Sequence, residues 1–193
     1  FFSNHDTPRL GDIFGQSYDK MKLSFAMLAT MRGIPQMFYG DEMMFCIDNQ
    51  NRDDGRLRMD FPGGWDGDAM NLFTQSGREA AASDPEWAGA GDLHAYVKTL
   101  LNWRKGKEVI HSGKTMHFIP QDNTYAYFRY NDTDAVFVYI NNSGETKNIP
   151  WSNYAEIGGS LKDGRCVISG EEVVIDNNTK VAPHSVIVVE YKR

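Results

Sequence analysis

The chain has 193 residues, of which 41% are hydrophobic and 24% charged, and its formal net charge is -6. This is the composition of a globular protein with material for one large or two small domains. The acidic balance leaves no basic stripe for nucleic acid or an anionic membrane surface, so neither partner is expected. No stretch approaches the ~20 apolar residues that a membrane-spanning helix needs.

The first half of the chain alternates between strand and helix patterns. Residues 1–3 are an apolar stub that runs into Asn4-His5-Asp6, as at the end of a strand. Residues 17–33 carry a serine cap, apolar residues at helical spacing and a closing glycine, which predicts a helix. The apolar run 35–39 is typical of a buried parallel strand. Residues 92–106 predict a second helix that begins at an aspartate and ends at a glycine.

This order is the strand and helix unit of parallel α/β folds. Two parallel strands cannot bury both of their faces, so we expect residues 1–106 to belong to a larger sheet and the chain to start in the middle of a fold. Residues 41–91 show little periodicity. A loop of this length in a compact domain is usually functional or disordered, and its aromatic and acidic residues favour a functional loop.

The acidic residues of this loop leave several interpretations open. Residues 48–54 and 66–68 are rich in oxygen ligands, but no frame gives the spacing of a calcium loop, so we predict no metal and no cofactor, with calcium as the alternative. A sugar is the second interpretation, since carboxylates and arginines bind hydroxyls while Trp65, Phe61 or Tyr39 could stack on a pyranose. The third is a solvated acidic loop with salt bridges.

Residues 107–193 have a different character, because short alternating segments are separated by Asn, Asp and Gly turns. The predicted strands are 114–119, 124–130, 135–141, 166–169, 173–175 and 185–191. An antiparallel β-sandwich of about eight strands fits this pattern.

Two motifs resemble conserved segments of the alpha-amylase family of glycoside hydrolases. Residues 1–6, FFSNHD, resemble the family's fourth conserved region, and residues 33–42, GIPQMFYGDE, resemble its segment around the eighth barrel strand. The helix predicted between them fits their separation. Residues 55–65, GRLRMDFPGGW, are similar to the neopullulanase and cyclomaltodextrinase branch.

The resemblance implies a fold class of α/β plus all-β. Residues 1–106 are expected to be the last two βα units of a (β/α)8 TIM barrel, with a long active-site loop at 41–91. Residues 107–193 are expected to form a C-terminal antiparallel β-sandwich domain.

The resemblance also implies an activity, the retaining hydrolysis of α-glucosidic bonds in starch-derived glucans. This chemistry needs a carboxylate nucleophile and a second carboxyl group that acts first as acid and then as base. Both are expected upstream of this chain, so the isolated chain is predicted to be inactive. The alternative function is a non-catalytic module that binds α-glucan or contacts another subunit.

By the same resemblance Asp6 is the family's third carboxylate, which stabilises the transition state through the 2- and 3-hydroxyls of the sugar. His5 is expected to bind the same sugar. Asp54 and Arg58 match an acid and an arginine that touch a neighbouring glucose, with a solvent-exposed ion pair as the alternative. The expected supporting residues are Asn4, Arg9, Tyr39 and Glu42.

The expected partner is an α-glucan or maltooligosaccharide, and homo-oligomerisation stays open. The resemblance favours the bacterial periplasm as location, with the cytoplasm as the alternative.

Overall fold

The structure is a computed structural model. It describes residues 1–47, 54–68, 70–84 and 89–193. The chain forms two compact units, one of residues 1–21 with 35–98 and the other of residues 22–34 with 99–193. The predicted domain limits at residues 1–106 and 107–193 stay a prediction. Within the described ranges, no helix has the length and apolarity to cross a membrane.

Helices dominate the first half of the chain. They are α1 (Leu10–Phe14), α2 (Tyr18–Thr30), α3 (Asp54–Leu57), α4 (Gln75–Ala82) and α5 (Ala90–Arg104), with a 3-10 turn at Asp41–Met43. Helices α2 and α5 confirm the two predicted helices, although α5 begins two residues before the predicted cap at Asp92. Helix α4 was not predicted. It begins after Thr74, whose hydroxyl accepts a hydrogen bond from the Gly77 N–H at 3.0 Å.

The two strands predicted in the first half, at residues 1–3 and 35–39, do not form. No β ladder involves residues 1–3 or 35–39 among the residues that the structure describes. A parallel strand is defined by backbone hydrogen bonds to a neighbouring strand. These two segments are instead linked through side chains. The Ser3 hydroxyl donates to the Asp41 carboxylate, which follows the second segment.

The second half is an antiparallel β structure, as predicted. Its strands are β1 (Lys114–His117), β2 (Thr124–Tyr130), β3 (Asp134–Asn141), β4 (Lys147–Asn148), β5 (Gly164–Cys166), β6 (Glu172–Val173), β7 (Lys180–Val181) and β8 (Ser185–Lys192). They form a six-stranded sheet, ordered β1-β2-β3-β8-β5-β6, and a two-stranded sheet of β4 and β7.

Short helical segments complete this half. They are α6 (Glu108–His111), a 3-10 turn at Trp151–Tyr154 and α7 (Ala155–Gly158). Strand β2 has its predicted bounds, but β5 ends where the predicted strand 166–169 should begin, and residues 167–169 are a turn. Strands β4 and β7 were not predicted, because two residues are too few to show an alternating pattern.

The core of the second unit lies on one face of the six-stranded sheet. Alternate residues of β2, β3 and β8 point into it, and the 3-10 turn and α7 cover it. The buried strand residues are Ala126, Phe128, Ala135, Phe137, Tyr139, Val189 and Tyr191. Val136 and Val138, on the opposite face of β3, are buried as well. Strand β3 is therefore covered on both faces, which explains its nearly continuous apolar sequence.

Arg104 caps helix α2 from within the same unit. Its side chain is 7% exposed, and it donates to the carbonyl oxygens of Ala29 at 2.6 Å and Gly33 at 2.5 Å. The last carbonyls of a helix lack intrahelical donors, and a cation at this end also interacts favourably with the helix dipole. The guanidinium group thus satisfies the end of α2.

We predict that Arg104→Met lowers the free energy of unfolding by about 3 kcal/mol, because buried carbonyls lose a charged donor. Urea unfolding followed by far-UV circular dichroism measures the change. The matched control is Lys105→Met, which removes an exposed cation next in sequence and should cost less than about 0.5 kcal/mol. Equal losses in the two variants would contradict the capping role.

Candidate active site

Asn4, His5 and Asp6 form a tight polar turn. The Asn4 side-chain oxygen accepts the Asp6 backbone N–H at 2.9 Å, and the Asn4 N–H donates to the Thr7 hydroxyl at 2.9 Å. Such local bonds fix a turn without a β ladder. The His5 and Asp6 side chains are each 62% exposed, and His5 Nε2 lies 3.1 Å from Asp6 Oδ2. The turn therefore presents a carboxylate and an imidazole side by side to solvent.

Arg58 brings the predicted substrate-binding residues together. Its Nη2 lies 3.1 Å from Asp6 Oδ1 and 3.3 Å from Asp54 Oδ2, and its Nε donates to the His5 carbonyl at 3.2 Å. These groups are exposed, so the ion pairs add little stability. Their effect is orientation, because one guanidinium group fixes two carboxylates at hydrogen-bond distance. The cluster offers acceptors and donors for vicinal hydroxyls.

Arg9 is fully buried and contacts the chain segments that carry these residues. Its Nη1 donates to the Tyr39 carbonyl at 2.6 Å, and its Nη2 donates to the Leu57 carbonyl at 2.8 Å. The guanidinium carbon also lies 4.3 Å from the centre of the Phe38 ring. Arg9 donates to Asp41, at 3.4 Å, and to no atom of Asp6 within the described part of the chain. The supporting role expected of Arg9 stays a prediction.

Asp41 is the buried carboxylate of the site. Its side chain is 1% exposed, and burial raises its pKa to about 6, although the Ser3 hydrogen bond and the Arg9 charge act in the opposite direction. The energetic cost of removing the carboxylate from water outweighs both partners. Sequence reasoning grouped Asp41 with the strand-end motif but missed Ser3. Ser3 and Asp41 are 38 residues apart, so no local pattern pairs them.

Glu42 supports the turn after Tyr39. Its Oε2 accepts the Gly40 N–H at 2.8 Å, and burial raises the Glu42 pKa. Gly40 has a φ of 89°, and a Cβ there would lie 2.2 Å from a ring carbon of Phe45. Only glycine fits this position without displacing the ring. Tyr39 is 39% exposed, and its hydroxyl donates to the Met59 carbonyl at 2.6 Å.

Of the three candidate stacking residues, Trp65 in the loop beyond Arg58 is the most exposed. Trp65 is 68% exposed, whereas the Phe61 ring stacks 5.5 Å from that of Phe45. The Asp68 carboxylate accepts the backbone N–H of Gly63 at 2.6 Å and of Trp65 at 3.0 Å, and these hydrogen bonds lower its pKa. Asp68 is thus engaged in holding the loop.

The metal interpretation gains no site from the described residues, in which no three His, Cys, Asp or Glu side chains are grouped for an ion. Asp48 and Asp53, two of the oxygen-rich residues that suggested calcium, lie outside the described residues.

Two family models match the sequence. The model for the alpha amylase catalytic domain matches residues 1–129, and that for the cyclo-malto-dextrinase C-terminal domain matches residues 115–190. A 4-alpha-glucanotransferase of Thermotoga maritima is 30% identical over 155 residues, which are 75% of this chain and 34% of the relative. A cyclomaltodextrinase of Geobacillus thermopakistaniensis is 28% identical over 149 residues, 76% of this chain and 21% of the relative.

Solved structures have the same fold. An alpha-amylase from Geobacillus thermoleovorans, complexed with acarbose, superimposes with a TM-score of 0.70 at 22% identity and covers 100% of this chain and 38% of its own. An AmyP variant in complex with maltotriose gives a TM-score of 0.72 at 18% identity over 97% of this chain and 40% of its own. The predicted fold class is thereby confirmed. The chain spans about a third or less of the length of the curated relatives named above.

The raised pKa of Asp41 should make the free energy of unfolding depend on pH. Its folded pKa of about 6 is above the ordinary value of 3.8, so the folded state binds the proton more tightly than the unfolded state. This contribution is complete below about pH 4 and is lost as the pH rises through about 6. Over the whole transition, from about pH 3 to about pH 7, the free energy of unfolding should fall by about 3 kcal/mol relative to Asp41→Asn, which does not titrate.

Urea unfolding of both proteins at several pH values measures this difference, in which the other titrating groups cancel. Asp60→Asn, an exposed change in the adjoining loop, is the control and should follow the pH profile of the unchanged protein. A profile of Asp41→Asn that runs parallel to that of the unchanged protein would contradict the raised pKa.

Proposed function

The chain belongs to the alpha-amylase family, and on this premise we propose that it is part of a retaining hydrolase of α-glucosidic bonds in starch-derived glucans. The observation that carries the proposal is the exposed cluster of Asp6, His5, Asp54 and Arg58 within the matched catalytic region. Related proteins support the substrate class, since they include a cyclomaltodextrinase and a maltogenic alpha-amylase.

The domain assignment follows from the same premise. We assign residues 1–106 to the C-terminal portion of a catalytic (β/α)8 barrel, with residues 41–91 as its active-site loop, and residues 107–193 to the accessory β domain. The two matched family models support this division, although they overlap at residues 115–129. Asp6 and Arg58 then belong to the wall of the active site at the end of the barrel strands.

In this proposal Asp6 binds the hydroxyls of the sugar at the cleavage point. Hydrogen bonds from the 2- and 3-hydroxyls to its carboxylate strengthen as the ring flattens toward an oxocarbenium-like transition state. Arg58 holds the Asp6 carboxylate in place, and the adjacent His5 imidazole reaches the same sugar. Asn4 orients the turn through the Asp6 N–H, and Arg9, Tyr39 and Glu42 support the segments below.

We predict that Asp6→Asn in the complete enzyme lowers kcat by about 10³-fold with a much smaller change in KM, as expected for an interaction made in the transition state. Steady-state hydrolysis of maltotriose and pullulan measures both constants. The control is Asp132→Asn, an exposed residue of a β turn, which should leave both constants unchanged. A normal kcat in Asp6→Asn would remove Asp6 from the catalytic site.

The isolated chain should not hydrolyse starch. Retaining hydrolysis needs a nucleophile and an acid that face the scissile bond about 5 Å apart, and the resemblance assigns neither role to these residues. Reducing-end release from soluble starch or pullulan should therefore stay at the level of the buffer. Turnover that rises with the concentration of the purified chain would show that both groups are present in it.

A further inference from the structure

The second unit contains a concavity of about 580 Å³, which is within the size range of small-molecule sites. The turn between β1 and β2, strand β4 and the 3-10 turn at Trp151–Tyr154 surround it. Its apolar floor is aromatic. The rings of Phe118 and Tyr154 lie 4.6 Å apart, and Tyr139 beside them is 2% exposed.

The rim of this concavity carries unused hydrogen-bonding groups. Gln121, Asp122, Asn148 and Asn153 are among its lining residues, and all four are exposed. None of these side chains makes a hydrogen bond within the described ranges of the chain, whereas the neighbouring Lys147 side chain does. Each amide offers both a donor and an acceptor, so the rim can bind several hydroxyls at once.

The rim is held in place before any ligand binds. Asp122 and Asn123 have φ values of 50° and 58°, which is the backbone of a tight two-residue hairpin turn. Gln121 and Thr124 close this turn with reciprocal backbone hydrogen bonds of 3.1 and 2.7 Å. On the opposite side, the Ser152 N–H donates to the Asn177 side chain at 2.9 Å. A preformed rim reduces the entropy lost on binding.

The charges of the site favour a neutral ligand. Lys147 lies 2.9 Å from the Glu145 carboxylate, so its charge is already balanced, and Asp122 would repel an anion. A second concavity of about 250 Å³ offers a contrast. It is lined by charged groups that pair with each other, Lys107 with Glu190 and Lys192 with Asp134, both at 2.5 Å, and it therefore leaves fewer groups for a ligand.

We propose that the larger concavity is a second saccharide-binding site, separate from the Asp6 cluster, and that its ligand is a neutral oligosaccharide. Amide groups bind pairs of hydroxyls, and Phe118, the partly exposed ring of the floor, contacts the apolar face of a pyranose. The assignment of a maltooligosaccharide as this ligand rests on the proposed function.

The test is calorimetric titration of the purified chain with maltotriose at millimolar concentration. Maltotriose should bind the unchanged chain, and the binding at this concavity should persist in Asp6→Ala, which removes any contribution of the Asp6 cluster. The double variant Asn148→Ala/Asn153→Ala should bind about tenfold more weakly, because it loses two hydrogen bonds to neutral hydroxyls that each contribute a factor of roughly two to ten. Asn102→Ala, an exposed amide on α5, is the matched control and should bind normally.

Amide chemical shifts of the unchanged protein provide a second readout that does not depend on variant folding. Maltotriose should shift the resonances of residues 121–124 and 151–154. Binding that is lost in Asp6→Ala and retained in the double variant would overturn the second site while supporting the sugar-binding role of Asp6. The absence of both heat and shifts would also overturn it, but would leave the proposed function to the kinetics of the complete enzyme.

Discussion

A guanidinium group that is removed from water must find acceptors for its N–H groups, and in the first unit Arg9 meets this requirement by joining separate parts of the chain. Tyr39 and Leu57 supply carbonyl oxygens, and Asp41 supplies the counter-charge. Arg58 follows Leu57 directly, so the backbone held by Arg9 also positions the arginine that contacts Asp6. The exposed cluster therefore depends on a charge that no solvent reaches.

The second unit contains two further buried arginines, Arg129 and Arg104, that donate to backbone carbonyls. Arg129 is fully buried and donates to the carbonyl oxygens of Ile110 at 2.8 Å and Gly113 at 2.7 Å, as well as to the Thr115 hydroxyl. Arg104 donates to the end of α2 in a comparable way. Carbonyl acceptors at turns and helix ends are thus used as partners for buried cations. These hydrogen bonds fix the path of backbone segments that lie outside the β strands and helices.

The amino-acid sequence predicts most features that arise from local patterns. The bounds of β2 and the presence of α2 and α5 follow from periodicity and capping, and the FFSNHD segment indicates the family. The unpredicted features depend on tertiary contacts. Helix α4 contains no apolar residue larger than alanine, while β4 and β7 are two residues each and pair across more than thirty residues of sequence. The contact between Ser3 and Asp41 joins residues far apart in sequence, so local reasoning could not find it.

The strand order of the large sheet has a consequence for synthesis. Strand β8 lies between β3 and β5, although it is made after all the other strands, and all eight of its residues pair with β3. Residues 142–184 must leave the ribosome before this pairing can begin, so until then the backbone N–H and C=O groups along one edge of β3 have no ladder partner. A product that stops before residue 185 lacks the middle of the sheet, and we expect cellular proteases to degrade it.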